Sequence, residues 1–91
     1  MEIDILTKDG VAEVAAKIDA PVEFIGQCRD TTNPFDEGGN VSFYGFVTPE
    51  EAWKRVRTYA LSTGYTCLDY WVYARIGDTV VKSIFGFKGT T

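Results

Sequence analysis

The chain has 91 residues, a formal net charge of −4 and no histidine, and 45% of its residues are hydrophobic. This length suits one domain with one core over residues 1–91, and the apolar content is too high for a disordered chain. The lack of histidine excludes Ser-His and Cys-His nucleophile pairs, and with two cysteines the chain cannot supply the four Cys or His ligands typical of a structural zinc site.

The first part of the chain predicts a strand, a helix and a second strand. Residues 2–6 alternate apolar and polar side chains, as a half-buried strand does. Apolar side chains then recur at helical spacing from Val11 to Ile18, and Pro21 follows where a helix would end. The apolar run at residues 22–28 predicts the second strand.

A polar segment at residues 29–40 predicts a long loop, because Asn33-Pro34 and Gly38-Gly39 are strong turn signals. Phe35 is a large apolar residue within it, and its acidic neighbours are Asp30, Asp36 and Glu37. These oxygen ligands lack the spacing of an EF-hand, so turn formation is favoured over a metal site. An aromatic anchor among charges is typical of an interface hot spot. The alternative is that Phe35 folds back over an edge of the core.

Residues 41–47 predict a third strand, and the helix after it has the best-defined start in the chain. Thr48 is the expected N-cap, Pro49 suits the first helical position, and Glu51 completes a capping box. Gly64 supplies the expected left-handed stop.

The C-terminal part predicts a hairpin of residues 65–76 and 79–88, joined by a two-residue turn at Gly77-Asp78. The register from this turn assigns one apolar side to the core, with Phe85 on it. The opposite side carries Asp69, Trp71, Tyr73, Arg75, Lys82 and Ile84.

The element order is therefore strand-helix-strand-strand-helix-strand, plus one further strand. We expect an α+β domain with a mainly antiparallel sheet and two helices on one face. This is the ferredoxin-like βαββαβ arrangement with an extra C-terminal hairpin strand.

Alternation along the third strand places Tyr44 and Phe46 on the same outer face as Trp71 and Tyr73. Four aromatic residues on a solvent face exceed scattered apolar exposure. Three explanations stay open: the face binds a partner, it pairs with its own copy, or one strand is assigned to the wrong side.

The segment Tyr44-Gly45-Phe46-Val47 and the helix start Glu50-Glu51-Ala52 resemble parts of an RNA-recognition-motif domain. The resemblance implies that Tyr44 and Phe46 would stack on nucleic-acid bases. The chain departs from the family at Pro49, where another aromatic residue is expected, and at Asp4, where the paired motif has an aromatic residue.

Charge is unevenly distributed along the chain. Residues 1–51 carry eleven acidic and three basic residues, whereas residues 52–91 carry two acidic and six basic residues. Such asymmetry can mark a surface that meets a charged partner, and the alternative is a solvated face. In size and charge the chain is similar to the small inhibitors that phages make against host defence nucleases, such as anti-CRISPR proteins.

These observations predict a small non-catalytic protein-binding module. Its acidic surface would occupy a basic, nucleic-acid-binding site on a larger protein. One alternative is a single-stranded nucleic-acid binder that stacks bases on the four outer aromatic residues, with Arg75 and Lys82 at the phosphates. Another is a homo-oligomeric structural or small-ligand-binding domain, with a homodimer as its simplest form.

We expect a cytoplasmic protein without a cofactor. The start of the chain, Met1-Glu2-Ile3-Asp4, lacks the basic residues of a signal peptide, and no apolar run reaches the ~20 residues of a membrane helix. Cys28 and Cys67 are then expected to be small buried thiols rather than a disulfide.

Overall fold

The computed structural model describes residues 1–32 and 41–91, so Phe35, Asp36 and Glu37 lie outside the described residues. Within the described ranges there are two helices and one six-stranded sheet. In chain order the elements are β1 (Glu2–Leu6), α1 (Lys8–Ile18), β2 (Val22–Asp30), β3 (Val41–Phe46), α2 (Pro49–Ser62), β4 (Leu68–Ile76), β5 (Thr79–Ile84) and β6 (Lys88–Thr90). The α+β class and the ferredoxin-like element order with extra C-terminal strands are confirmed.

The strands are ordered β1-β5-β4-β2-β3 across the sheet, and β6 also pairs with β4. β1 is parallel to β5, and every other described pairing is antiparallel. Both helices pack on one face, because Val11 of α1 and Ala52 of α2 belong to one core with Val72 and Val81. The other face of the sheet, which we call the open face, is covered by neither helix.

α2 begins as the sequence predicts and lies very close to the sheet. The Thr48 hydroxyl accepts a hydrogen bond from the backbone N–H of Glu51 at 3.3 Å. Gly26 of β2 lies beneath this helix, and a Cβ atom there would be 2.8 Å from the carbonyl oxygen of Ala52. The absence of a side chain at Gly26 therefore lets the two backbones approach each other.

α1 buries fewer residues against the sheet than α2 does. Thr7 caps it by accepting a hydrogen bond from Gly10 N at 3.0 Å, and Val11 is its one buried residue. Lys8 also donates a hydrogen bond to Glu50 at the start of α2. This hydrogen bond lowers the pKa of the Glu50 carboxyl and links the N-terminal ends of the two helices.

A bulge interrupts the pairing of β2 with β3. Phe24 pairs with Phe46 and Gly26 pairs with Phe43, so β3 has one extra residue between these pairs. Gly45 has φ +88°, a conformation that favours glycine and is common in bulges. The extra residue reverses the alternation, and Phe46 packs against the core under the helices. The prediction that Phe46 shares the outer face is therefore wrong.

The predicted strand at residues 79–88 is also interrupted. The hairpin register is confirmed where Ile76 pairs with Thr79, but β5 ends at Ile84. A turn follows in which the N–H of Phe87 donates to the Ile84 carbonyl at 3.0 Å. Ile84 is buried in the core and Phe85 is 72% exposed, so the assigned sides of these two residues are wrong.

Among residues 1–32 and 41–91, neither helix combines the length and apolar character needed to cross a membrane.

Candidate interface on the open face of the sheet

The open face presents three of the four predicted aromatic residues. Along β4, alternate residues from Leu68 to Ile76 are buried under the helices, which directs Trp71 and Tyr73 to the opposite side. Tyr44 of β3 remains there and is 57% exposed. Phe46 is the aromatic residue that the bulge removes from this group.

Tyr44 and Tyr73 form part of a small apolar cluster on this face. Ile25 lies between Phe24 and Gly26, which both face the helices, so its side chain faces the other way. It is nevertheless completely buried, and its partner across the β2–β4 ladder is Tyr73. The two tyrosines are therefore partly structural.

The Tyr73 hydroxyl is held in its neutral form. Burial raises its pKa, a side-chain hydrogen bond with Tyr44 raises it further, and the nearby Arg75 opposes both effects. At neutral pH the Tyr73 side chain therefore offers a polar hydroxyl group without a negative charge.

Trp71 separates two shallow hollows on the open face. The first, which we call the cationic hollow, has a volume of about 270 Å³ and is lined by Arg29, Asp69, Trp71, Lys82, Ser83 and Lys88. The second, which we call the apolar hollow, has a volume of about 330 Å³ and is lined by Gln27, Trp71, Tyr73, Val80 and Lys82. A ligand over Trp71 would thus meet Arg29 and Lys88 on one side and Tyr73 and Val80 on the other, with Lys82 lining both hollows.

The charges around the cationic hollow are partly compensated within the domain. The Asp69 carboxylate accepts a hydrogen bond from the Thr90 hydroxyl at 2.6 Å. Lys82 Nζ lies 3.4 Å from a Glu2 carboxylate oxygen and 3.6 Å from one of Asp4. The charge of Glu2 is the main cause that raises the pKa of Lys82. Because these ion pairs are exposed to solvent, each contributes little free energy to fixing the position of the Lys82 side chain.

Of the predicted acidic loop site, Asp30 is the one member within the described residues. Asp30 is half-buried, and its carboxylate accepts hydrogen bonds from the backbone N–H and the hydroxyl of Thr32 at 2.9 and 2.7 Å. This side chain therefore stabilises the turn that follows β2. Phe35, Asp36 and Glu37, the other loop residues of that site, lie outside the described residues.

The sequence does not predict that Arg29 and Lys88 line the cationic hollow. The predicted loop begins at Arg29, but β2 continues through this residue and pairs it with Asp69. The predicted hairpin strand ends at Lys88, but this residue belongs to β6 and pairs with Trp71. The period-two pattern of β2, extended by two residues, could have placed Arg29 on the face of Gln27.

The two cysteines are not joined to each other. Cys28 is buried, as expected, whereas Cys67 is exposed, which corrects the prediction for that residue. Cys67 has φ +67° and lies in the bend immediately before β4.

The open face presents aromatic, cationic, hydroxyl and carboxylate groups around its two hollows. Among the residues that the structure describes, no cluster of three or more Cys, Asp or Glu side chains could hold a metal ion. No protein-family model matches the chain, and no curated protein or solved structure matches it significantly.

Proposed function

We propose that this protein is a non-catalytic protein-binding module whose interface is the open face of its sheet. The observation that carries the proposal is the position of Tyr44, Trp71 and Tyr73 on a sheet face that neither helix covers, with Arg29 and Arg75 beside them. Tryptophan, tyrosine and arginine are the residues most enriched in interface hot spots.

The charges at one edge of this face favour a partner with basic groups opposite that edge. Glu2 and Asp4 lie on the edge strand β1, beside Lys82. An acidic rim of this kind speeds association with a basic surface. We propose that such a partner is a larger cytoplasmic protein, and that occupancy of its nucleic-acid-binding surface would make this domain an inhibitor.

The test is a capture experiment with matched variants and nuclease-treated lysate. The immobilised protein is compared with Trp71→Ala and with Tyr65→Ala, an exposed aromatic residue that lies outside the open face. We expect specific proteins to be retained by the original protein and by Tyr65→Ala, and to be lost from Trp71→Ala. Retention by all three would contradict the proposal. Urea unfolding of each variant verifies that a loss of capture does not reflect unfolding.

Single-stranded nucleic acid is a second candidate, favoured by the three cations that surround Trp71 in the cationic hollow. A base stacked on Trp71 with a phosphate beside Arg29 and Lys88 is the arrangement that such ligands require. The loss of Phe46 from this face removes one of the stacking positions that the resemblance implied. Capture that disappears after nuclease treatment would favour this candidate over the protein partner.

A further inference from the structure

We infer that the cationic hollow is a subsite for a single carboxylate side chain of the protein partner. This inference rests on the proposed function, and it adds the chemistry of the segment that the open face recognises. The partner residue in the neighbouring apolar hollow would be apolar or aromatic and would lie against Trp71.

Three different strands supply the cations. Arg29 comes from β2, Lys82 from β5 and Lys88 from β6, and all three line the same hollow as Trp71. Within residues 1–32 and 41–91, neither Arg29 nor Lys88 has a carboxylate oxygen within 4.0 Å. These two cations are therefore available to an incoming anion.

The balance of charge favours one carboxylate over a chain of phosphates. Asp69 lines the hollow itself, and Lys82 is already paired with Glu2 and Asp4. Arg29 and Lys88 are the two remaining cations, and with Asp69 beside them they leave an excess of a single positive charge. A nucleic-acid strand gains most of its affinity from several phosphate contacts, and the acidic β1 edge would repel the next phosphate in that direction. A single carboxylate beside Arg29 and Lys88 avoids the β1 edge, and the Asp69 carboxylate that it meets in the hollow is already hydrogen-bonded to Thr90.

The two hollows also suggest the spacing of the recognised side chains. They share Trp71 and Lys82, so they are adjacent on the face. An extended peptide places side chains i and i+2 on one side, about 7 Å apart. An Asp or Glu separated by one residue from an aromatic or branched apolar residue would therefore fill both hollows at once.

A displayed library of random peptides, selected on the immobilised full chain, tests this inference. We expect selected peptides to share an acidic residue two positions from an aromatic or apolar residue. A synthetic peptide with the selected sequence should bind at least tenfold more weakly to the double variant Arg29→Glu/Lys88→Glu, a loss of about 1.4 kcal/mol. Arg29→Lys/Lys88→Arg should bind within about threefold of the original, because the charges remain. Lys17→Glu/Lys54→Glu, with two exposed lysines reversed on the helices, makes the same change in net charge and is the control for it.

The outcomes separate this inference from the proposed function. If Trp71→Ala abolishes peptide binding but the double charge reversal has no effect, the interface stands and the carboxylate subsite is wrong. If neither change affects binding, both proposals fail. If the selected peptides lack an acidic residue, or if no peptide is selected, the carboxylate subsite is wrong. The interface itself is then still tested by the capture experiment. Tighter binding of an oligothymidylate than of the acidic peptide would overturn it in favour of nucleic acid.

Discussion

The side chains of Tyr44 and Tyr73 are hydrogen-bonded to each other from the two strands that flank β2. Ile25 lies on β2 between them and is completely buried, although it faces away from both helices. The tyrosine pair therefore stabilises the domain as well as presenting aromatic surface. Trp71 lines both hollows and is the aromatic residue on which the proposed interface chiefly depends.

Replacement of Ile25 by alanine should destabilise the domain despite its position on the open face. Loss of a fully buried isoleucine side chain costs about 2–5 kcal/mol. Ile5, which is 59% exposed, is the matched control, and Ile5→Ala should change the free energy of unfolding by less than about 1 kcal/mol. Urea unfolding measures both values. Equal effects of the two substitutions would contradict the buried cluster under the tyrosines.

The Tyr44→Phe variant should lower the pKa of Tyr73. Burial is the main cause of its raised pKa, and the hydrogen bond with Tyr44 adds to it, so the pKa should fall without returning fully to its ordinary value. A group with a raised pKa in the folded state stabilises the fold at neutral pH and loses this contribution as pH rises through that pKa. Titration of phenolate absorbance measures the shift, and Tyr73→Phe identifies the signal. An unchanged high-pH transition in Tyr44→Phe would show that the hydrogen bond has no influence.

Gly26→Ala should separate α2 from the sheet. The added Cβ would lie 2.8 Å from both the Ala52 carbonyl oxygen and the Val56 Cβ, and a backbone atom has little freedom to move. Overpacking of this kind costs about 1–3 kcal/mol. Gly10→Ala in α1 is the control, because its nearest neighbour is the Thr7 hydroxyl at 3.2 Å, which belongs to a side chain. A smaller loss of stability for Gly26→Ala than for Gly10→Ala would contradict this close packing.

The sequence predicts elements correctly where the determining signals are local. Three such features lie where the sequence predicts them, and each depends on a few neighbouring residues. They are the Thr48 cap, the left-handed Gly64 after α2 and the Gly77-Asp78 turn. The register of that turn is also why the sides of Trp71 and Tyr73 were predictable. The α+β class followed from the order of these elements.

The errors arise where a distant pairing partner decides the geometry. Alternation along β3 gives no sign of the bulge at Gly45, because the extra residue is defined only against β2. Similarly, the turn at Gly86 redirects the chain so that Lys88 pairs with Trp71. The cationic hollow combines residues from β2, β4, β5 and β6, so no single segment of sequence contains it. The acidic loop at Phe35, Asp36 and Glu37 stays a prediction.

The two thiols should differ strongly in reactivity. Cys28 is 3% exposed in the core beneath α2, whereas Cys67 lies at the surface at the start of β4. The carbonyl of Cys67 accepts hydrogen bonds from the backbone N–H and hydroxyl of Thr31 at 3.0 and 2.7 Å, which ties it to the end of β2. These bonds leave the sulfur accessible while fixing the backbone around it.

A disulfide-exchange reagent should therefore modify one thiol per folded molecule quickly. Reaction of Cys28 requires opening of the core, so its rate should rise with urea in parallel with global unfolding. Cys67→Ser should remove the fast phase, and Cys28→Ser should remove the slow one. If both thiols react at the same fast rate in the folded protein, then α2 does not protect Cys28 of β2 from solvent. The close approach at Gly26 would then be wrong as well, because it depends on the same helix position.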